Sequence, residues 1–201
     1  MRARRLAALI MSAAAIAGCG SSTSLLRSSS SSSSASSQPS TTSSKTAPPG
    51  TVKSADGRFA TVIPDKFENA TGRVKGSAIN IQYLAVGPRQ QGFATNINVV
   101  RESSRGQTSM DAIAQLEIGG IKRLEPQAHS FSQVQSLTVD GQPARSIDYL
   151  SQPGGRPLHQ YQVFVAQGGW IYTITYSALP SNYSDNLAAV KQVTDGWHWL
   201  T

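Results

Sequence analysis

The chain has 201 residues, which is room for one domain of ordinary size and some additional segments. Its formal net charge is +7, but residues 51–201 carry 13 Lys and Arg against 11 Asp and Glu, a net charge of only +2. Binding to a phosphate backbone needs a clustered basic face, and because no such cluster occurs the composition argues against a nucleic-acid partner.

Residues 1–18 have the features of an export signal peptide. Three arginines within the first five residues precede an apolar run at residues 6–17, which is too short to span a bilayer. Residues 16–19, Ile-Ala-Gly-Cys, resemble the lipobox of bacterial lipoproteins, in which the cysteine thiol receives a diacylglycerol before cleavage. The resemblance implies lipid attachment at Cys19, the only cysteine of the chain. The alternative is an ordinary cleaved signal with an incidental cysteine.

Residues 19–56 are predicted to form a disordered tether between the lipidated cysteine and a folded domain at residues 57–201. A serine run at residues 28–34 and an excess of Ser, Thr and Pro give the tether too little apolar surface to offset the entropy of ordering it. Such a flexible segment lets the domain stand off the membrane. The same composition permits O-glycosylation, which is an alternative role for the segment.

Three segments at the start of the domain alternate apolar and polar residues, as strands with one buried face do. Residues 58–64 form the first segment and are stopped by a proline. The second segment, residues 77–86, ends at Gly87-Pro88, and the third covers residues 93–101. The three segments are predicted to form an antiparallel meander.

The periodicity then changes to that of a helix. Residues 108–111, Thr-Ser-Met-Asp, are typical of a helix start, with a hydroxyl cap followed by a carboxylate. Apolar residues recur at helical spacing as far as Leu124, and either Leu116 or Glu117 fits the buried stripe. The pair Gly119-Gly120 weakens the helix, and a proline two residues after Leu124 ends it.

Strands resume at residues 130–139 and 144–150, which are joined across the hairpin signal Asp140-Gly141. The central element of the chain is the next hairpin, residues 158–176, because Gly168-Gly169 can take positive φ at both turn positions. Period-two alternation then predicts its register and its apolar face. The predicted pairs are Gln167 with Trp170, Val165 with Tyr172, Val163 with Ile174, and Tyr161 with Tyr176.

A final helix is predicted at residues 181–195, with Leu187 and Val190 on its apolar stripe. Trp197 and Trp199 follow it and are expected to plug one end of the core, the alternative being an aromatic clamp for a sugar or lipid. Strands outnumber helices and no parallel strand-helix-strand repeat occurs. The predicted fold class is α+β, a twisted antiparallel sheet of about seven strands flanked by helices.

Several motifs in the second half of the chain occur together in one known superfamily. They are Val139-Asp-Gly-Gln-Pro-Ala144 before a strand, the hairpin sequence Gly-Trp-Ile-Tyr-Thr-Ile-Thr-Tyr-Ser-Ala at residues 169–178, then Tyr183 and a terminal helix. In these motifs the chain resembles the C-terminal half of the PsbP-like superfamily, which includes bacterial envelope lipoproteins. The resemblance implies an α-β-α sandwich without enzymatic activity that serves as an accessory or binding module.

The sequence contains no constellation typical of catalysis or metal binding. His129, His159 and His198 are far apart and have no partner His or Cys at ligand spacing, so His159 is expected to be a hydrogen-bonded core or edge residue. Asp140 and Asp148 are expected to be solvated charges. No Gly-x-Ser-x-Gly elbow, phosphate loop or dinucleotide fingerprint occurs. We therefore expect no enzyme, no catalytic residue, no metal and no cofactor, with an unrecognised hydrolase as the alternative.

Together these features predict a non-catalytic cell-envelope protein, held by lipid on Cys19 at the outer face of the cytoplasmic membrane, or at the outer membrane if the organism has one. The expected role is that of an accessory or protein-binding module with another envelope protein as its partner. The alternative is a carrier of a lipid or small apolar molecule in the space between helix and sheet. Apart from Cys19, the sequence identifies no ligand-binding residue.

Overall fold

The computed structural model describes residues 45–74 and 79–200. The predicted export signal at residues 1–18, Cys19 and the tether as far as residue 44 lie outside the described residues. Within them the longest helix has 15 residues, and no helix combines the length and the apolar character that a membrane span requires.

The described residues form ten strands in two antiparallel sheets, together with three α-helices. The strands are β1 (Val52–Lys53), β2 (Phe59–Thr61), β3 (Glu68–Asn69), β4 (Ile81–Gln90), β5 (Phe93–Ser103), β6 (Gln135–Val139), β7 (Gln142–Ser151), β8 (Leu158–Gln167), β9 (Trp170–Ala178) and β10 (His198–Trp199). The helices are α1 (Met110–Leu124), α2 (Tyr183–Asn186) and α3 (Ala188–Asp195). The larger sheet has seven strands in the order β3-β4-β5-β9-β8-β7-β6, which confirms the predicted fold class.

The central hairpin of β8 and β9 has the predicted register. Gln167 pairs with Trp170, Val163 with Ile174, and the pairing continues to His159 with Ala178. Both turn glycines have positive φ, 57° at Gly168 and 79° at Gly169, the conformation that a two-residue hairpin turn requires. The turn chemistry and the period-two pattern are local, which is why the sequence alone predicts this element.

A second, three-stranded sheet joins the two ends of the described chain. Strand β2 lies between β1 and β10, so that Ala60 pairs with both Lys53 and His198. The segment predicted at residues 58–64 therefore forms a shorter strand and is not part of the meander, because its partners are distant in sequence. The composition predicts that residues 19–56 form the disordered tether. In the structure β1, which lies within that range, pairs with β2, so this part of the chain belongs to the folded domain.

One face of the large sheet, named here the front face, carries the larger apolar core. It contains the inward side chains of β8 and β9, such as Val163 and Tyr176, and is covered by α2, α3 and the C-terminal aromatic residues. Trp197 is almost fully buried and its indole stacks on the Phe59 ring with 3.8 Å between ring centroids. Trp197 and Trp199 are thus part of the core, as predicted, and no aromatic clamp is formed.

The opposite face of the sheet, the back face, is covered by α1, which packs on β7 and β8. The Ser109 side chain accepts a hydrogen bond from the Ala112 amide and caps the helix, one residue later than the start of the predicted motif. An ion pair between Asp111 and Arg145 of β7, with 2.7 Å between the Asp111 Oδ1 and Arg145 Nε atoms, holds the first turn against the sheet. The helices on both faces give the α-β-α layering of a sandwich.

Two predicted elements differ from those observed. The C-terminal helix is broken into a 3-10 turn, α2 and α3, because the Val190 amide bonds to the Leu187 carbonyl three residues back and tightens the chain there. The strand predicted at residues 130–139 begins only at Gln135. Before it, His129 forms an isolated bridge with Leu150, so the chain crosses beside β7 before it turns into β6.

Candidate functional site

A cleft of about 530 Å³ lies on the front face, between α3 and the strands β6 and β8. It exceeds the roughly 300 Å³ at which small-molecule pockets begin. Its lining is Leu137, Thr138, Tyr161, Val163, Leu187, Val190, Lys191, Thr194 and Asp195.

The floor of the cleft follows from strand alternation. Tyr161 and Val163 are two residues apart on β8 and therefore share the front face, and Leu137 of β6 packs against the same core. Among the described hydrogen bonds, none involves the Tyr161 hydroxyl. The floor is thus apolar, with one phenol group able to donate or accept a hydrogen bond to an occupant.

The wall of the cleft is one stripe of the C-terminal helix region. Leu187, Val190, Lys191, Thr194 and Asp195 follow the spacing of i, i+3, i+4, i+7 and i+8, which places them on one helix face. The two charged residues form an exposed ion pair at the rim. Because an exposed pair at this spacing contributes only about 0.3–0.5 kcal/mol, it opens at little cost when something enters the cleft.

Beside the cleft lies an unprotected edge of the large sheet. Strand β6 pairs with β7 on one side and has no other neighbouring strand among the described residues. Its backbone groups on the outer side are therefore free to pair with an added strand, the property that makes edge strands sites of association. Leu137 and Thr138 belong to both this edge and the cleft lining. An extended peptide paired with β6 would lie next to an apolar cavity.

The back face carries a different chemistry, a group of partly buried carboxyl groups on α1, at its C-terminal cap and on β5. Burial, together with the neighbouring carboxylate of Glu102, raises the pKa of Glu117 to about 7. Burial also raises the pKa of Glu125 to about 7, although the nearby Ser151 hydroxyl opposes part of this increase. Both carboxylate oxygens of Glu125 are shielded from solvent. These carboxyl groups can therefore exchange protons close to neutral pH.

The residues considered as catalytic or metal-binding candidates do not converge. The His159 Nε2 atom lies 3.2 Å from Asp148 Oδ1 and its ring stacks on Tyr183, which confirms a hydrogen-bonded histidine in a structural setting. Asp140 and Asp148 are not simply solvated charges, since Asp140 accepts a hydrogen bond from the Trp199 amide. Within residues 45–74 and 79–200, no group of three His, Cys, Asp or Glu residues could hold a metal ion.

Sequence reasoning missed most of the lining of the cleft and left open whether Leu116 or Glu117 lies on the buried stripe of α1. The sequence predicts Leu187 and Val190 on an apolar helix stripe, but nothing in it shows that a gap remains between this stripe and β6. The position of Glu117 did have a signal. Ile113 and Ile121 are both buried and each lies four residues from Glu117, so the buried stripe passes through the carboxylate and not through Leu116.

Comparisons with known proteins show the same fold in several bacterial structures. The chain is similar to the solution structure of cyanobacterial PsbP (CyanoP) from Synechocystis sp. PCC 6803, with 12% identity and a TM-score of 0.53. The match covers 74% of this chain and 91% of the other. It is also similar to the crystal structure of LpqN, a protein involved in cell envelope biogenesis of Mycobacterium tuberculosis, with 15% identity and a TM-score of 0.56. That match covers 75% of this chain and 90% of LpqN. At these identities the likeness shows the fold alone, and that fold is PsbP-like.

A third structure is similar over a smaller part of the chain. It is a protein of unknown function from Pseudomonas aeruginosa, with 18% identity, a TM-score of 0.50 and coverage of 59% of this chain and 81% of the other. No curated protein matches the chain significantly in sequence. A family model described as DcrB matches residues 61–195, which is most of the described part of the chain.

Proposed function

Because the chain belongs to the DcrB family and has the PsbP-like fold, we propose that it is a non-catalytic, lipid-anchored envelope protein that binds another envelope protein. The binding site in this proposal is the cleft together with the free edge of β6. The observation that carries the proposal is their adjacency, because Leu137 and Thr138 belong to both.

The proposed location rests on the first 19 residues and on one structural neighbour. The arginine-rich start, the apolar run and the Ile-Ala-Gly-Cys sequence support export and acylation at Cys19. Stable anchoring needs more than one acyl chain. The diacylglycerol of a lipoprotein provides two, each of them palmitate or a similar fatty acid. The involvement of LpqN in cell envelope biogenesis supports the same setting for a protein of this fold.

The absence of catalysis is supported by the surroundings of the polar side chains. In the part of the chain that the structure describes, no hydrogen bond joins a Ser or Thr hydroxyl to a histidine, and the histidine nearest to an aspartate is stacked on Tyr183. Nucleophilic catalysis requires a base within reach of the nucleophile. The arrangement therefore favours binding over hydrolysis.

Protein binding through the edge of β6 uses two interactions of different kinds. Main-chain hydrogen bonds from an added strand would satisfy the free groups of β6 and give affinity without demanding a particular sequence. An apolar side chain of that strand would enter the cleft between Tyr161 and Leu187 and give specificity. The Lys191–Asp195 ion pair would then open, and its two charged groups would remain solvated at the rim.

A second function, the carriage of a lipid or small apolar molecule, is favoured by the same cavity. The volume of about 530 Å³ and the apolar floor suit an acyl chain or a compact apolar ligand. In this case the Tyr161 hydroxyl would bind the polar end of the ligand.

One cross-linking experiment separates the two functions. The full chain is produced in the envelope of its host with photoreactive p-benzoylphenylalanine in place of Tyr161, on the floor of the cleft. We expect irradiation to give a defined protein-protein adduct. The adduct should be lost in the background of Thr194→Trp, which fills the cleft from α3, and retained with Ala188→Trp, which places the same bulk on an exposed position of α3 outside the lining.

The mass of the adduct decides between the functions. A protein adduct that Thr194→Trp removes supports the protein-binding module, whereas an increase in mass of lipid size that shows the same dependence supports the carrier. Adducts that are indifferent to both tryptophan substitutions would refute the cleft as the binding site. Circular dichroism of each variant checks that the fold is retained.

A further inference from the structure

The tether contains a short apolar segment of its own. Between Cys19 and Lys45 the sequence consists almost entirely of Ser, Thr and other small or polar residues, and its large apolar side chains are those of Leu25 and Leu26. Arg27 follows them directly. Because burial of a leucine side chain is favourable wherever it can leave water, this pair is the part of the tether that gains most from an apolar surface.

The described chain begins close to the cleft. The Lys45 amide donates a hydrogen bond to the Leu200 carbonyl, 3.2 Å away. One residue earlier, the Trp199 amide donates to Asp140 in the turn that follows β6, with 2.8 Å between the Trp199 nitrogen and Asp140 Oδ2. Asp140 is two residues from Thr138 in the lining of the cleft. These contacts place Lys45 within about 25 Å of Thr138.

The length of the intervening segment matches this distance. Residues 27–44 separate Leu26 from Lys45 and are mainly serine. A flexible Ser-rich chain of this length, as the composition predicts, has a root-mean-square end-to-end distance of about 25 Å. The effective concentration of a tethered group at its site is greatest when these two lengths agree, and for a short flexible linker it reaches the millimolar range. The leucine pair therefore meets the cleft far more often than a free peptide would.

The cleft offers chemistry that suits these three residues. Its floor is apolar around Leu137 and Val163, which is the surface that a leucine pair requires. At the rim, the exposed ion pair between Asp195 and Lys191 opens at little cost. The Asp195 carboxylate can then accept hydrogen bonds from the guanidinium of Arg27, a strong charge-assisted pairing.

We propose that Leu25 and Leu26 bind in the cleft of the same chain, with Arg27 paired with Asp195 at the rim. This inference rests on the cleft of the proposed function, because the tether is then an internal competitor that an envelope protein paired with β6 must displace. At a millimolar effective concentration, a segment of millimolar affinity occupies the cleft for about half of the time and remains easy to displace.

Docking of the leucines also determines how far the domain stands from the membrane. Six residue steps separate Cys19 from Leu25 and span at most about 20 Å. When the segment is released, residues 20–44 span at most about 90 Å. In the acylated chain the bound leucines therefore hold the cleft near the bilayer, and displacement by a partner lets the domain extend. Partner binding and the reach of the domain are coupled through one site.

Distances between two spin labels test the docking in the full acylated chain. Ser28→Cys places one nitroxide beside the docking segment, and Ser184→Cys places the other at an exposed position of α2 outside the lining of the cleft. Because acylation occupies Cys19, the two new thiols are the ones that react. The chain is reconstituted by its anchor into phosphatidylcholine vesicles, and double electron-electron resonance gives the distribution of distances between the labels.

We expect a broad distribution with a narrow short-distance component that contains about half of the molecules. Leu25→Ser with Leu26→Ser should remove the narrow component. The matched control is Gln38→Ser with Pro39→Ser, two replacements by serine elsewhere in the tether, which should preserve it.

Two substitutions in the domain identify the site to which the segment binds. Thr194→Trp fills the cleft from α3 and should remove the narrow component. Gln115→Trp places the same bulk at an exposed position of α1, on the other side of the sheet, and should leave the component unchanged.

The competition has a separate readout in the envelope of the host. With the photoreactive group in place of Tyr161, Leu25→Ser with Leu26→Ser should raise the yield of the partner adduct about two-fold, because the fraction of empty clefts doubles. An unchanged yield would refute the competition.

The contrary results distinguish this inference from the proposed function. A broad distribution alone in the unsubstituted tether, or a narrow component that survives Thr194→Trp, overturns the inference, and the partner adduct at position 161 still decides the proposed function. A narrow component that depends on the leucines and on Thr194, in a chain that forms no partner adduct, supports the inference and refutes the proposed function. If mass spectrometry finds Cys19 without an acyl group, the anchor is refuted, and the same distances measured with Cys19→Ser decide the docking.

Discussion

Replacement of Glu117 by glutamine should stabilise the chain at alkaline pH and not at acidic pH. The pKa of Glu117 is raised by burial and by the carboxylate of Glu102, from 4.5 to about 7. The folded state therefore holds the proton more tightly than the unfolded state does. Between about pH 4.5 and 7 unfolding releases that proton, so the free energy of unfolding contributed by Glu117 decreases as the pH rises and is constant above about 7.

The size of the effect follows from the same pKa. A change from 4.5 to about 7 corresponds to an upper bound of about 3 kcal/mol, and solvent that reaches part of the side chain reduces this to about 1–2 kcal/mol. Glutamine keeps the shape and removes the charge. Glu117→Gln should therefore raise the free energy of unfolding by about 1–2 kcal/mol at pH 8 and leave it nearly unchanged at pH 4.5.

Urea unfolding of the purified chain, followed by tryptophan fluorescence, measures the difference at the two pH values. Glu102→Gln should reproduce part of the alkaline gain, because it removes the charge that acts on Glu117. Asp185→Asn, at an exposed position on the front side, should give a small change that is independent of pH. If Glu117→Gln destabilises the chain equally at both values, Glu117 makes an interaction in its charged form and the reasoning is refuted.

Three further predictions concern the packing, each with its own substitution. Gly196→Ala should lower the free energy of unfolding by about 1–3 kcal/mol, because the added Cβ atom would lie 2.9 Å from Val62 Cγ1. Gly119→Ala, on an open helix surface, should raise it by about 1 kcal/mol. Equal effects of the two substitutions in urea unfolding would contradict the packing argument. Trp197→Ala should cost about 3–5 kcal/mol because the indole is buried on Phe59, and a smaller thermal shift than that of Trp170→Ala would refute its place in the core. Asp140→Ala should cost about 1–2 kcal/mol by removing the acceptor for the Trp199 amide, which hydrogen exchange of that amide measures; unchanged exchange would contradict it.

The sequence predicts those elements whose determinants are close together in the chain. The β8–β9 hairpin is set by Gly168-Gly169 and by alternation over nine residues on each side, and its register is as predicted. The end of α1 is likewise set by a local proline. In contrast, strand β2 has only three residues and pairs with a strand about 140 residues later, so no local pattern assigns it to the small sheet.

The candidate site is non-local for the same reason. Its lining comes from β6, β8 and the C-terminal helix, and each contribution taken separately is ordinary: an edge strand, a core strand and an amphipathic helix. The cleft exists because α3 is offset from part of the front face and leaves a gap beside Leu137 of β6 and Tyr161 and Val163 of β8. That offset depends on the packing of Val190 and Val193 against distant strands, which periodicity cannot predict.

The orientation of α1 is decided by its isoleucines, which places a carboxylate partly out of contact with water. Glu117 is half-buried because it lies midway between Ile113 and Ile121, and rotating the helix to bury Leu116 would expose both isoleucines. A leucine stabilises the fold by about 1.5–3 kcal/mol only when its side chain is removed from water, and Leu116 remains 59% exposed. A polar residue at position 116 would therefore leave the core unchanged. The raised pKa of Glu117 is therefore a consequence of how the isoleucines orient the helix, and nothing in the core requires a carboxylate at that position.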